Sequence, residues 1–87
     1  MSIQAQIKSI ANTAKVGDIV TVNGSARTVT EVDPDGRYIY VDSGKVRDGR
    51  KAGGLIDSEW CKFHPTMAQK PVAVSEISLL SAVAVAS

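Results

Sequence analysis

The chain has 87 residues, and ten Lys and Arg stand against nine Asp and Glu, so the net charge is +1 at neutral pH. This balance excludes a broadly basic surface as the basis of function. A chain of this length is predicted to form one domain, residues 1–87, with a single small core. The single cysteine, Cys61, excludes an intrachain disulfide. With no apparent secretory or membrane-spanning run, the sequence predicts a cytoplasmic protein that has no membrane partner.

Residues 2–14 show helical periodicity. Ile3, Ile7 and Ile10 are spaced by four and three positions, which places them on one side of an α-helix. Ser2 is a suitable N-cap for this helix. Because a helix of about twelve residues is marginal on its own, we expect its isoleucine side to pack against the rest of the domain.

Runs rich in β-branched residues follow the helix and predict strands over residues 19–23, 27–32, 37–42 and 55–63. Alternation along the third run points Ile39 and Val41 to one face and Tyr38 and Tyr40 to the other. Along the fourth run, Leu55, Cys61 and Phe63 share a face and Ile56 and Trp60 share the opposite one.

The sequence Asp33-Pro34-Asp35-Gly36 predicts a hairpin with a tight four-residue loop between the second and third strands. Proline presets φ at the first corner of such a loop, and glycine accepts a positive φ. The loop length then fixes the predicted register, which pairs Val32 with Arg37, Thr30 with Ile39, Val29 with Tyr40, and Arg27 with Asp42. The last of these is a favourable cross-strand charge pair.

The final segment, residues 71–87, fits two patterns. Ser75 and Glu76 followed by Ile77, Leu80 and Val83 fit a capped helix, whereas the alternation of the same segment fits a turn and a strand. We predict a strand over residues 76–81, because four preceding strands need a fifth to close a barrel. Residues 82–87 are predicted to form an uncharged apolar tail that packs in an assembly or on another sheet edge.

The phrase Lys15-Val16-Gly17-Asp18-Ile19-Val20-Thr21-Val22-Asn23-Gly24 resembles the first strand and turn of small five-stranded barrels of the KOW, Tudor and Sm type. Residues 29–33 resemble their second strand. The resemblance covers residues 15–42 and concerns a fold, not a particular family. It implies a mainly β fold, with a five-stranded barrel over residues 15–81. Many of these domains bind RNA, peptides or other proteins, although Ser25-Ala26-Arg27 departs from the basic residue and second glycine of KOW domains.

The stretch Gly44–Gly54, GKVRDGRKAGG, is predicted to be a long basic loop. Its cations, offset only by Asp48, are Lys45, Arg47, Arg50 and Lys51. Two glycines separated by four residues match the start of a phosphate-binding P-loop, but Arg50-Lys51-Ala52 follows where that motif needs Lys and then Ser or Thr. The stretch is therefore interpreted either as a loop that contacts a partner or as a solvated connector.

Three aromatic residues, Tyr38, Tyr40 and Trp60, form a stacking or binding surface if all of them lie on the outer side of the barrel. The alternative places Trp60 in the core or beneath the helix. Cys61 and His64 could supply two ligands to a metal, but a structural zinc site needs four. The sequence predicts no metal, no cofactor and no catalytic residue.

We therefore predict a non-enzymatic protein-binding or assembly protein, with a protein partner or a homo-oligomeric interface. Its small size suggests a virion or accessory component of a phage. The alternative is a small nucleic-acid-binding barrel that uses residues 45–51 for phosphates and the aromatic residues for stacking.

Overall fold

The computed structural model describes residues 2–66 and 69–80. The chain begins with helix α1, Ile3–Thr13. Seven strands follow, β1 (Ile19–Val22), β2 (Ser25–Val32), β3 (Tyr38–Arg47), β4 (Arg50–Asp57), β5 (Lys62–Pro65), β6 (Val72–Ala73) and β7 (Ile77–Leu79). They form one antiparallel sheet in the order β6-β5-β4-β3-β2-β1-β7. The fold is mainly β, as predicted, and the curled sheet is a half-barrel of seven strands, not a barrel of five.

Helix α1 confirms the sequence prediction. The Ser2 side chain caps it by accepting a hydrogen bond from the Ala5 backbone N–H at 3.2 Å. Ile7, Ile10 and Ala11 are its buried residues, and they join the core on the inner face of the sheet. The helix lies near the β2–β3 turn. Its Asn12 side chain is so close to Gly36 that any side chain at position 36 would collide with it. The helix thus covers one end of the inner face.

The strands contribute to the core the side chains that alternate inward, which are Val20, Val22, Val29, Ile39, Val41, Ile56, Phe63 and Ile77, and Val74, between β6 and β7, adds to them. This confirms the prediction that Ile39 and Val41 share one face, and that face is the inner one. Cross-strand pairing puts Ile39 opposite Ile56, and Ile56 opposite Phe63. The inner face of the half-barrel therefore holds the apolar core.

The β2–β3 turn lies where the sequence predicts it, but the predicted register is wrong. Gly36 donates from its N–H to the Asp33 carbonyl at 3.0 Å, but the pairing closes at Asp33, whose N–H donates to the Tyr38 carbonyl at 3.1 Å, so the loop spans residues 34–37. Val32 consequently lies opposite Ile39, not Arg37. An irregularity between Val29 and Glu31 then shifts the register again.

These two offsets also overturn the remaining predicted pairs. Val29 lies opposite Val41, Tyr40 opposite Glu31, and Asp42 opposite Thr28. Because neighbouring residues of a strand point to opposite faces, Arg27 does not face Asp42. The carboxylate of Asp42 instead lies 3.7 Å from the Lys51 amine.

The predicted basic loop is a β-hairpin. Strands β3 and β4 continue through it and meet at the two-residue turn Asp48-Gly49, where both residues have positive φ, 50° and 75°. This is the backbone of a type I′ turn, for which Asp-Gly is a favoured sequence. Position 53 of β4 requires a glycine, because a side chain there would collide with the Val41 carbonyl.

The predicted strand 55–63 is also divided, and a turn at residues 58–61 separates β4 from β5. The Asp57 carboxylate accepts hydrogen bonds from the backbone N–H of Glu59 at 2.7 Å and of Trp60 at 3.4 Å. Such local side-chain bonds favour a turn over an extended chain. As a result, Phe63 shares the inner face with Ile56, while Leu55 faces outward opposite His64.

The predicted strand at residues 76–81 is present as β7 over Ile77–Leu79, and the predicted apolar tail lies outside the described residues. The segment that contains β6 and β7 pairs with β5 at one edge of the sheet and with β1 at the other.

Within residues 2–66 and 69–80, the helical structure has neither the length nor the apolar composition of a membrane span.

Asn23 fastens this closing segment to the β1–β2 turn. Its side-chain oxygen accepts from the Ser75 N–H at 2.7 Å and the Glu76 N–H at 3.2 Å, and its amide donates to the Ala73 carbonyl at 2.9 Å. Asn23 and Gly24 form a two-residue turn with φ of 50° and 86°. One side chain thus joins the turn to the segment that links both sheet edges.

We expect Asn23→Gly to lower the free energy of unfolding by about 2 kcal/mol, because the substitution keeps the positive φ but removes these hydrogen bonds. The matched control is Asp48→Gly, which also changes the first residue of a two-residue turn at φ 50° and should change stability by less than about 0.5 kcal/mol. Urea unfolding of both variants measures the difference. Equal losses would show that the side chain of Asn23 does not fasten the segment.

Candidate partner-binding surface on the outer face

The outer face of the sheet carries a cross-strand row of partly exposed side chains. Tyr40 on β3 lies opposite Leu55 on β4, and Leu55 lies opposite His64 on β5. Since directly opposed residues share a face, these three side chains form a continuous row pointing away from the core. The surface formed by Tyr38, Tyr40, Leu55, Trp60 and His64 is called the outer aromatic surface below.

Tyr38 and Tyr40 are held against each other at one side of this surface. Their ring centres are 5.4 Å apart and the rings are nearly perpendicular, at 84°, the edge-to-face arrangement favoured by aromatic pairs. Tyr40 is 38% exposed. The negative charge of Asp33 and, to a lesser degree, burial raise the pKa of Tyr38, so this side chain stays a neutral phenol and a hydrogen-bond donor.

Trp60 lies at the other side of the surface. It is 63% exposed, and its ring centre is 6.5 Å from that of His64. Its backbone is fixed by the turn that the Asp57 carboxylate organises. The structure therefore brings the three predicted aromatic residues to one face, and the alternative of a buried Trp60 is wrong.

A polar cluster beside Tyr38 holds the two turns at this end of the sheet together. Buried Ser58 donates from its hydroxyl and its N–H to the Arg37 carbonyl, at 2.7 and 2.8 Å. The Asp33 carboxylate accepts from the Arg37 N–H at 3.0 Å and from its guanidinium at 3.3 Å. Burial acts to raise the pKa of Asp33, but the hydrogen bonds from Arg37 outweigh it and hold that pKa below its ordinary value.

The predicted basic residues are divided between the two faces by the β3–β4 hairpin. Lys51 lines a shallow outer groove of about 270 Å³ together with Tyr40. Lys45 lines a different cavity on the inner face. Arg50 is exposed next to the turn, and the Arg47 side chain lies outside the described part of the structure. The hairpin thus brings Lys51 and Tyr40 together and separates Lys45 from them.

The cavity at the open end of the inner face is the feature that the sequence prediction missed. This inner pocket has a volume of about 530 Å³, and its lining includes Arg27, Lys45, Ala52, Phe63 and Pro65. The Arg27 guanidinium lies 4.6 Å from the centre of the Phe63 ring, within the range of a cation–π contact. Among the described side chains, Arg27 Nε is buried without a hydrogen-bond partner.

A signal for the inner pocket is present in the sequence. The turn Asn23-Gly24 places Val22 opposite Ser25 and Val20 opposite Arg27. Val20 is a core residue, so Arg27 has to share the inner face with it. Because the predicted register pairs Arg27 with Asp42, it does not indicate a cavity at Arg27.

No protein-family model matches the chain, and no match is found among curated proteins or among solved structures. The likeness to KOW, Tudor and Sm barrels therefore stays at the level of a small, mainly β, curled sheet.

We expect Asp33→Asn to flatten the loss of stability in acid. The folded-state pKa of Asp33 lies below its ordinary value of 3.8, so the ionised carboxylate stabilises the fold above that pH. This contribution is lost as the pH falls through the folded-state pKa. The variant should therefore be less stable at neutral pH and less sensitive to acid, as measured by urea unfolding across a pH series.

Asp35→Asn is the matched control, because Asp35 lies 3.6 Å from the same guanidinium but is 76% exposed. Exposed ion pairs contribute little, so this variant should keep the acid-dependent loss of the wild type. An unchanged acid response in Asp33→Asn would contradict the assignment.

Proposed function

We propose that this chain is a non-enzymatic protein-binding or assembly domain that contacts its partner through the outer aromatic surface. The observation that carries the proposal is the row Tyr40–Leu55–His64, which continues to a Trp60 that is 63% exposed. Tryptophan and tyrosine are enriched among the residues that dominate binding energy at protein interfaces. A large aromatic side chain left in water by so small a domain favours a role in binding over a role in stability.

The geometry of the surface also supports binding. The Tyr38–Tyr40 contact restricts these two rings, and the turn organised by Asp57 fixes the backbone of Trp60, before a partner arrives. Restriction of this kind reduces the entropy lost on association. The surface is therefore suited to a tight contact made by few residues.

The charges around the surface favour a protein partner, with a second copy of the chain as the first candidate. Asp57 and Lys62 lie opposite each other beside Tyr38, so both signs are present. A face with both signs can complement itself across a two-fold axis. With a net charge of only +1, two copies repel each other little. The assignment to a phage or virion remains a prediction from chain size.

We expect Trp60→Ala to weaken self-association by roughly tenfold or more, since truncation of a tryptophan that dominates an interface costs about 2 kcal/mol or more. Its thermal stability should change little, because the side chain is mostly exposed. Sedimentation velocity over a concentration series measures the association. Val16→Ala, at a residue 68% exposed and outside the surface, is the control and should associate as the wild type does.

A photo-crosslinking amino acid at position 60, compared with one at position 16, extends the test to other partners in the source cell. Crosslinks from position 60 to the chain itself or to one distinct protein, without the same product from position 16, are the expected result. A wild-type monomer at all concentrations, together with no protein crosslink from position 60, would overturn the proposal.

Nucleic-acid binding is the alternative function, and it is favoured by the groove that Tyr40 and Lys51 share. An aromatic ring beside a cation is suited to a stacked base with its phosphate. Two features weigh against it. Asp42 lies within 3.7 Å of Lys51, and the hairpin directs Lys45 to the inner pocket.

The two functions differ in their response to salt. If the chain binds oligonucleotides, affinity should fall steeply as salt rises, and joint substitution of Arg47, Arg50 and Lys51 by Gln should abolish binding and leave the fold stable. An apolar protein interface should respond weakly to salt. Fluorescence anisotropy with labelled single-stranded DNA and RNA at two salt concentrations separates the cases. Absence of binding at low salt would exclude the alternative.

A further inference from the structure

The inner pocket presents positive charge against apolar walls. Arg27 and Lys45 line it together with Phe63, Ala52 and Pro65, and its described lining contains no Asp or Glu. It opens at one end of the inner face, and the β2–β3 turn and α1 lie at the other end. Its volume of about 530 Å³ falls in the range of small-molecule sites in proteins.

We propose that the inner pocket binds a carboxylate group carried on a short apolar stem, with Arg27 as its anchor. Arg27 points to the core side of β2, opposite Val20, and the bulged register keeps it away from Asp42. Asp42 is instead paired with Lys51. The guanidinium therefore lies in a cavity whose described lining supplies no carboxylate to neutralise it.

The Arg27 side chain is stacked on the pocket wall and lacks one hydrogen-bond partner among the described residues. Its guanidinium stacks over Phe63 at 4.6 Å, and its Nε is buried without an acceptor. A buried donor without an acceptor is unfavourable, and an incoming oxygen supplies what it lacks. Because Nε is shielded from solvent, the half-buried Arg27 side chain has to rotate for a carboxylate to reach this atom.

A second cation is placed by the irregular part of β3. The Ser43 hydroxyl donates to the Ala52 carbonyl at 3.0 Å and accepts from the Lys45 N–H at 3.3 Å. These bonds fix the segment at which the β3–β4 register shifts. Lys45 thereby lines the same cavity as Arg27, and one anion can interact with both charges.

The donor arrangement favours a carboxylate over a phosphate. The planar fork of an arginine matches the two oxygens of a carboxylate. Phosphate sites commonly use several converging backbone N–H groups at a helix N-terminus or a glycine-rich loop. Here the lining comes largely from strands, and α1 does not contribute to it. Phe63, Ala52 and Pro65 supply an apolar wall for the stem.

Titration with butyrate tests the proposal, with butyramide as the neutral analogue and inorganic phosphate as the competing anion. In ¹H–¹⁵N NMR spectra, butyrate should shift the Arg27 Nε–H resonance and the amides of Ala52 and Gly53 in a saturable way. A fragment of this size should bind with a Kd in the millimolar range. Butyramide and phosphate should bind at least roughly tenfold more weakly.

Variants identify the anchor. Arg27→Lys keeps the charge but removes the fork, and should weaken butyrate binding by roughly tenfold. Lys45→Gln should weaken it less, and Arg50→Gln, a change of an exposed cation outside the pocket, should not alter it. The Nε–H shift in the wild type gives the result even if a variant fails to fold.

Two further ligands distinguish the source of the carboxylate. A blocked tripeptide with a central glutamate that binds more tightly than butyrate would identify an acidic polypeptide side chain, and its glutamine version should then fail to bind. Weaker binding by the glutamate peptide would identify a free organic acid. Equal binding of butyrate and butyramide, equal binding of phosphate, or an unaffected Arg27→Lys variant would overturn the proposal. None of these results depends on the outer aromatic surface, so the two proposals can fail separately.

Discussion

The short segment that ends the described chain constrains the whole sheet, because its two strands form the two edges of the sheet. β6 is bonded to β5, and four residues later β7 is bonded to β1. Since a few residues span only a short distance, the strands they join have to curl toward each other. Asn23 secures this arrangement by holding Ala73, Ser75 and Glu76 against the β1–β2 turn.

The curl creates the two faces on which the functional proposals rest. It turns Ile39, Ile56 and Phe63 toward a core that α1 covers at one end. At the other end the inner face stays open as the inner pocket. The same alternation that buries these residues directs Tyr40, Leu55 and His64 outward. Both candidate surfaces are thus consequences of one curled sheet.

Local sequence signals predict the parts of this fold that depend on neighbouring residues. The isoleucine spacing and Ser2 locate α1, and alternation along β3 separates Ile39 from Tyr40. Asp48-Gly49 is also a typical hairpin sequence, but the glycines and cations around it favour the prediction of a loop. In contrast, the left-handed backbone of Cys61, at φ 54°, has no compositional signal.

The error in the predicted register explains why the sequence prediction misses the inner pocket. A shift by one residue moves every side chain to the opposite face, and the irregularity at residues 29–31 depends on packing that the sequence does not display. With the predicted register, Arg27 has a partner in Asp42 and appears structural. With the observed register Arg27 lies on the inner face, and no carboxylate of the described residues pairs with it.

The inner pocket and the outer groove are separated by a wall one backbone thick. Ala52 and Gly53 line both cavities, and Gly53 is restricted to glycine by the adjacent Val41 carbonyl. A side chain at Gly53 would push β3 and β4 apart, which would disturb the Arg27 side and the Tyr40 side together. The absence of a side chain there lets β3 and β4 stay close enough for a small sheet to present a charged cavity on one face and an aromatic row on the other.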